Sequence, residues 1–156
     1  MDLARYTLAV LIAALPCMAQ VEKLAMKTTG ISCGVCAAVS ELNFRRLDGV
    51  DKVKISLSHE SILLTYKPGA KFSTQAIRKV LDPLKVGVVQ FQIGVRGEVR
   101  LSGDKRILTA GPYRFTLLDA IDSPDVPAHV PVRIEGILYD RETPMEIKVL
   151  SVHPVP

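Results

Sequence analysis

The hydrophobic period of this chain switches from helical to alternating at Asp48-Gly49, and that switch does most to limit the folds open to it. Before the turn, Val35, Val39, Leu42 and Leu47 follow helical spacing and predict a helix over about 34–47. Arg45 and Arg46 stand at its end, where cations complement the helix dipole. After the turn, VDKVKISLS alternates with period two: Val53, Ile55 and Leu57 on one face, Lys52, Lys54 and Ser56 on the other. That is the pattern of a half-buried strand. His59-Glu60 then turns the chain into a second strand, SILLTY, which ends at Lys67-Pro68-Gly69.

The flanks complete a unit. VEKLAMKTT reads as a leading strand, with Met26 alternating with Leu24 as a core residue, and the loop TGIS joins it to the first helix. A second helix opens on Ser73 as N-cap, with Phe72 placed to staple onto Ile77. Ala76, Ile77, Val80, Leu81 and Leu84 form its apolar stripe, and Pro83 limits the regularity of its last turn. VGVVQFQIG supplies a closing strand. Strand, helix, strand, strand, helix, strand predicts a ferredoxin-like βαββαβ sandwich.

From Val95 onward the pattern is all strands: VRGEVRLS, RILTA, YRFTLLDA, HVPVRIEGILYD and MEIKVLSVHPV. Val130, Val132, Ile134 and Leu138 keep alternate spacing, as do Met145, Ile147 and Val149. Five short strands predict a small all-β barrel similar to the OB fold. Charge divides the same way: residues 20–94 hold 11 Lys and Arg against 6 Asp and Glu, residues 95–156 hold 8 against 9, and 7 of the 10 prolines lie at or after Pro112. A boundary near Gly94 to Gly97 therefore separates an α+β domain, 20–94, from an all-β domain, 95–156.

Residues 1–19 have the layout of a secretory signal peptide: Asp2 and Arg5, an apolar run, then small residues before Gln20. The run is shorter than the ~20 apolar residues of a spanning helix, so no stable membrane span is expected and the protein reads as periplasmic or secreted. Cleavage would remove Cys17 and leave Cys33 and Cys36 as the only thiols.

These two stand in TTGISCGVC, at the start of the first helix. A bridge over two intervening residues closes too small a loop to add much stability, which directs attention to chemistry. A thiolate at a helix N-terminus is stabilised by unpaired backbone N–H groups and the dipole. Soft thiolates favour Cu(I) and similar ions, whereas a structural zinc site wants four ligands and the loop offers two. Two-coordinate Cu(I) or Hg(II) fits the pair, and zinc or cadmium would need a partner's ligands. The alternative is a thiol–disulfide oxidoreductase using the same cysteines. Thioredoxin-like enzymes usually place an aromatic residue before the first cysteine and a cis-proline at the opening of a later strand. Here Ser32 precedes Cys33, and Pro68 closes an apolar run. In an oxidising compartment the pair would rest as a disulfide, and metal loading would follow reduction.

Other chemistry finds little support. His59, His129 and His153 lack a second ligand at metal spacing and read as solvated surface histidines. No Ser-His-Asp set, framed carboxylate pair or phosphate-cradling glycine loop appears, so the chain does not read as an enzyme. The second half has Tyr113, Phe115 and Tyr139 as its only aromatics and a net charge of −1, which argues against nucleic acid and for an accessory module.

The GISCGVC loop after a strand, the helix ending in Leu47-Asp48-Gly49-Val50, and the element order together resemble the heavy-metal-associated domain family. Copper chaperones, N-terminal modules of metal-pumping ATPases and periplasmic mercury-binding proteins belong to it. The resemblance covers roughly residues 22–94, with Phe44, Leu47, Gly49 and Val50 where that family places apolar residues and its glycine-valine turn. It implies a metal chaperone or scavenger that grips its ion through Cys33 and Cys36. Monovalent copper comes first among the ions it implies, with Hg, Zn and Cd behind. Ile31 stands where the family usually has methionine, and Val88 where many cytosolic copper chaperones carry lysine, so Lys85 is the cation nearest in sequence. An acidic metal-receiving or metal-efflux protein is the expected partner, with Lys23, Lys27, Lys52, Lys54 and Lys79 as candidate steering charges.

Overall fold

A computed structural model describes residues 20–156. The leader expected at 1–19, Cys17 included, lies outside them. The first half runs β1 (Gln20–Thr29), α1 (Gly34–Arg45), β2 (Val50–Ser56), β3 (Ser61–Tyr66) and α2 (Thr74–Leu81), continued by a 3-10 turn at Asp82–Leu84. β4 (Gly87–Ser102), β5 (Lys105–Ala110), β6 (Tyr113–Leu118), β7 (Pro131–Tyr139) and β8 (Met145–Pro154) follow. Up to β4 this is the predicted ferredoxin-like order. The five strands predicted after Val95 are also present, the first as the second half of β4.

The strands form one sheet in the order β2-β3-β1-β4-β5-β6-β8-β7, and β7 returns to pair with β4. That last pairing closes β4, β5, β6, β8 and β7 into a five-stranded barrel. Its β6–β8 contact is parallel and the other four are antiparallel.

The boundary placed near Gly94 falls inside β4, which runs unbroken for 16 residues and serves both halves. The glycines at that expected boundary have a use within the strand. The Lys23 side chain crosses Gly94, and a Cβ at Gly97 would run into the carbonyl oxygen of Thr109 on β5. Glycine inside a strand marks such close approaches where a sheet bends into a barrel.

One hydrophobic core spans both halves. Leu24, Met26, Ile62, Leu64, Phe91 and Ile93 bury the helix side of the first four strands, and Val99, Leu108, Phe115, Ile134 and Ile147 fill the barrel. Phe91 pairs with Leu138 and Val95 with Ile134, so the inner face of the sheet passes into the barrel interior without a break. Side-chain contacts tie the halves further. Tyr113 Oη on β6 accepts a hydrogen bond from the Phe72 amide at 2.7 Å, and Tyr66, Phe72 and Tyr113 stack edge to face. Burial pushes the Tyr66 hydroxyl well above the ordinary tyrosine range, with Tyr113 adding to the shift. Arg78 of α2 lies over the Phe91 ring and donates two-pronged hydrogen bonds to Asp140, beyond the end of β7.

The second helix forms as expected, with Ser73 Oγ accepting from the Ala76 amide and Ile77 and Leu81 buried. The first differs. It ends at Arg45 rather than Leu47, and Val35 and Leu42 of the predicted apolar stripe are 74% and 57% exposed. α1 instead buries Ser40 and Phe44, with Ala37 packed against the core. Small residues at 37 and 40 let the helix lie close to the sheet, and a face of that kind has little hydrophobic contrast. In the barrel, Val130 is 44% exposed before β7 begins, whereas Val132, Ile134 and Leu138 point inward.

Candidate metal centre

β1 ends at Thr29, and three features shape the turn that follows. Thr28 donates both its amide, at 2.8 Å, and its hydroxyl, at 2.9 Å, to the Glu60 carbonyl, fastening the strand's end to the β2–β3 hairpin. Gly30 adopts a left-handed backbone with φ of 86°, and Ile31, fully buried, anchors the loop in the core. Ser32 and Cys33 then emerge into solvent.

Cys33 is the N-cap of α1. Its backbone is extended (φ −106°, ψ 140°), its carbonyl accepts from Ala37, and its Sγ accepts a hydrogen bond from the Cys36 amide at 3.1 Å. A sulfur thus takes the place usually held by a serine or aspartate oxygen, receiving one of the orphan donors of the first turn. That turn contains no acidic residue. Both features favour a thiolate over a thiol once the pair is reduced. Cys33 is exposed, Cys36 half-buried, and their Cα atoms are 5.4 Å apart, with the sulfurs joined in a disulfide. A disulfide has no thiolate to offer, so only the reduced pair could hold an ion.

No cluster of three or more His, Cys, Asp and Glu side chains able to hold an ion exists among the described residues. The cysteine pair therefore offers two sulfurs, Cys33 on the solvent side, and no third ligand of these types beside them among the described residues. His59, His129 and His153 are all exposed, and His59 Nδ1 lies 2.9 Å from Ser56 Oγ and 3.1 Å from Ser58 Oγ. Lys85, in a left-handed conformation after the 3-10 turn, presses its carbonyl oxygen against Gly30, 3.2 Å from where a Cβ would sit. Its exposed side chain belongs to the segment beside the cysteine loop. Val88 pairs with Thr28 and is half-buried.

The five candidate lysines do not form one patch. Lys23, Lys27, Lys52 and Lys54 occupy outward positions of β1 and β2, on the sheet face away from the helices, while Lys79 lies on α2. Lys23 is engaged within the molecule: its Nζ is 2.6 Å from Glu135 of β7, and this hydrogen bond holds the Glu135 carboxyl below the usual range. Nearby, Glu22 receives both Arg96 and Arg133, whose guanidinium is held further in its charged form by hydrogen bonding to that carboxylate. Spacing along the sequence shows none of these cross-sheet pairs.

Fold and site together define a class: a ferredoxin-like unit with a cysteine pair at a helix start, Cys33 exposed and Cys36 half-buried, continued into a barrel. No protein-family model matches the chain. It is 30% identical over 94 residues to a probable copper-exporting P-type ATPase of Archaeoglobus fulgidus, a match covering 60% of this chain and 12% of the ATPase. It is 32% identical over 72 residues to a copper-exporting P-type ATPase of Bacillus subtilis, covering 46% of this chain and 9% of that protein. The chain thus spans about a tenth of the length of these relatives. Among solved structures, the CopZ metallochaperone aligns over 43% of this chain and 98% of its own with a TM-score of 0.39 and 21% identity. The yeast copper transporter domain CCC2A aligns over 44% and 94% with 0.38 and 20%, and a copper form of CopA from Bacillus subtilis over 46% and 93% with 0.38 and 29%. The two ATPases are the relatives by sequence that bear on the resemblance to the heavy-metal-associated domain family.

No helix of the described residues is long and apolar enough to cross a membrane.

Proposed function

We propose that this protein captures a soft metal ion, Cu(I) before Hg(II), Zn(II) or Cd(II), between Cys33 and Cys36 and hands it to a partner or holds it in reserve, in the periplasm or outside the cell. The observation that carries the reading is the sulfur pair at the start of α1, Cys33 exposed and Cys36 half-buried, with a backbone N–H directed at Cys33 Sγ and no further ligand cluster among the described residues. Two soft thiolates satisfy Cu(I) and leave a four-ligand ion under-coordinated. The exposed side admits a receiving thiol before either cysteine lets go. The copper-exporting ATPases among its relatives support the same ion. The thiol–disulfide oxidoreductase alternative uses the same sulfurs, and no relative favours it.

We read the barrel as OB-type, from its five strands, its Greek-key return of β7 to β4 and its parallel β6–β8 pair. Its role is to present a partner surface at a fixed angle to the metal site, because β4 belongs to both.

The test is competition of the reduced, anaerobic protein against chromophoric chelators for Cu(I), Hg(II) and Zn(II). One-to-one binding ranked with Cu(I) tightest supports the reading. Rapid exchange with a disulfide substrate and no tight ion would replace it with the redox alternative.

Charge steering is tested separately. Lys27, Lys52 and Lys54 have no carboxylate within ion-pair distance among the described residues. The Lys27→Glu/Lys54→Glu variant should slow metal transfer to an acidic acceptor at low salt by about tenfold, the low end of electrostatic rate effects. The difference should shrink as added salt shortens the screening length. Equal rates at low salt would remove these lysines from docking.

A further inference from the structure

Where β7 turns away from β4, a short run of β4 is left with a single neighbour. β7 pairs with β4 from Phe91, opposite Leu138, to Glu98, opposite Pro131. β1 pairs with it further, down to Gly87. Gly87–Gln90 therefore has β1 on one side and, on the other, a cavity of about 420 Å³ between β4 and the β7–β8 turn. Val88, Val89, Phe91, Leu118, Leu138 and Tyr139 give it an apolar lining, and Arg78, Arg141, Glu142 and Glu146 edge it. Its size lies within the range of ligand-holding clefts.

Two details make the site specific. Lys27 pairs with Gln90 and Thr28 with Val88, so Val89 is the extra residue of a β-bulge, 63% exposed and turned toward the cleft. Tyr139, 43% exposed, lines the same cleft. The charges are unbalanced: Asp140 is neutralised by Arg78, while Glu142 and Glu146 have no cation within ion-pair distance among the described residues. Arg141 alone stands against these two carboxylates on the rim.

We infer that this cleft receives an extended segment of a partner protein, added as a short strand along Gly87–Gln90. An apolar side chain of the segment sits between Val89 and Tyr139, and a basic one meets Glu142 and Glu146. A strand edge with one neighbour is a template for another chain, with main-chain hydrogen bonds supplying affinity and side-chain pockets supplying selectivity. The bulge at Val89 and the return of β7 at Phe91 limit the added strand to a few residues, which suits recognition and opposes sheet growth. The place also has a consequence: Gly87 pairs with Thr29, the last residue before the cysteine loop. A segment bound here would lie at the metal end of the sheet, and the inference stands whether or not the cysteines carry metal.

The experiment follows amide NMR signals of the isotope-labelled, metal-free protein during titration with acetyl-Ser-Val-Lys-Val-Lys-Ser-amide. The same peptide with glutamate for lysine is titrated beside it. Shift changes should centre on Gly87–Gln90, Tyr139 and Glu146, with slowed hydrogen exchange along Gly87–Gln90. The glutamate peptide should bind at least about tenfold more weakly, the scale expected of a close charge pair. Glu142→Lys/Glu146→Lys should reverse that preference, and Val89→Asp should remove binding of the lysine peptide. These residues lie at the surface of the cleft, so a native spectrum of each variant separates lost binding from lost fold. Equal affinity for the two peptides, binding mapped to another face, occupation of the cavity without amide protection, or no binding by the natively folded parent would each overturn the inference.

Discussion

Cys33→Ser and Cys36→Ser should each abolish tight Cu(I) binding by the reduced protein. On the proposed reading two sulfurs are the whole ligand set, since no cluster of three or more His, Cys, Asp and Glu able to hold an ion exists among the described residues, so losing one leaves a single thiolate. The loss should exceed the 10–100-fold that removal of an outer-shell partner typically costs a metal site. The two variants differ in a useful way. Cys33 caps α1 and accepts the Cys36 amide, a place serine also fills well, so Cys33→Ser should keep the helix start while losing the ion. Without a reductant the parent should behave like the mutants, because its sulfurs are tied to each other. Chelator competition with and without reductant reads all of this, and Cu(I) retained by either single mutant would sink the two-sulfur site. Affinity should also weaken as pH falls, since protons compete for the thiolates.

The second large effect concerns the core. Phe115 lies on a barrel strand far along the chain from the cysteines, and it is fully buried. Phe115→Ala should cost about 3–5 kcal/mol, the usual range for emptying such a site. A domain's whole stability is only about 5–15 kcal/mol. The first half should fall with it in one transition, because β4 is common to both halves and a single core runs through them. Urea unfolding followed by amide signals from Phe44 and from Leu108 should give coincident midpoints, both lowered in the mutant. If the Phe44 signal kept its parental midpoint, the two halves would be separate folding units. Gly97→Val should act in the same direction by overpacking, about 1–3 kcal/mol, because its side chain would meet the backbone of Thr109.

Much of this architecture is legible locally. The alternation of Val53 and Ile55, the Ser73 cap and the stripe through Ile77 and Leu81 each state an element type within a few residues, and each element is present. The cysteine loop is local in part: the glycine turn and the helix beginning at Gly34 follow from nearby residues, whereas the burial of Ile31 and the Glu60 carbonyl that fastens Thr28 come from distant ones. Other features are not local. Val35 and Leu42 fit helical spacing as well as Phe44 does, and only the sheet beneath α1 decides which of them it covers. Gly94 and Gly97 suit a linker or a crowded strand equally, and the nearness of Lys23 and Thr109 decides between the two.

By itself, then, the sequence determined the order and kind of the elements and the placing of two cysteines at a helix start, because hydrophobic period, capping and C-x-x-C spacing act over one or two turns of chain. The tertiary structure alone decided that β4 would be shared, that β7 would return to close a barrel, that Lys23 would be spent on Glu135, and that a cleft would open beside Gly87–Gln90. Each of these depends on residues brought together from distant parts of the chain, and no local period encodes such a meeting.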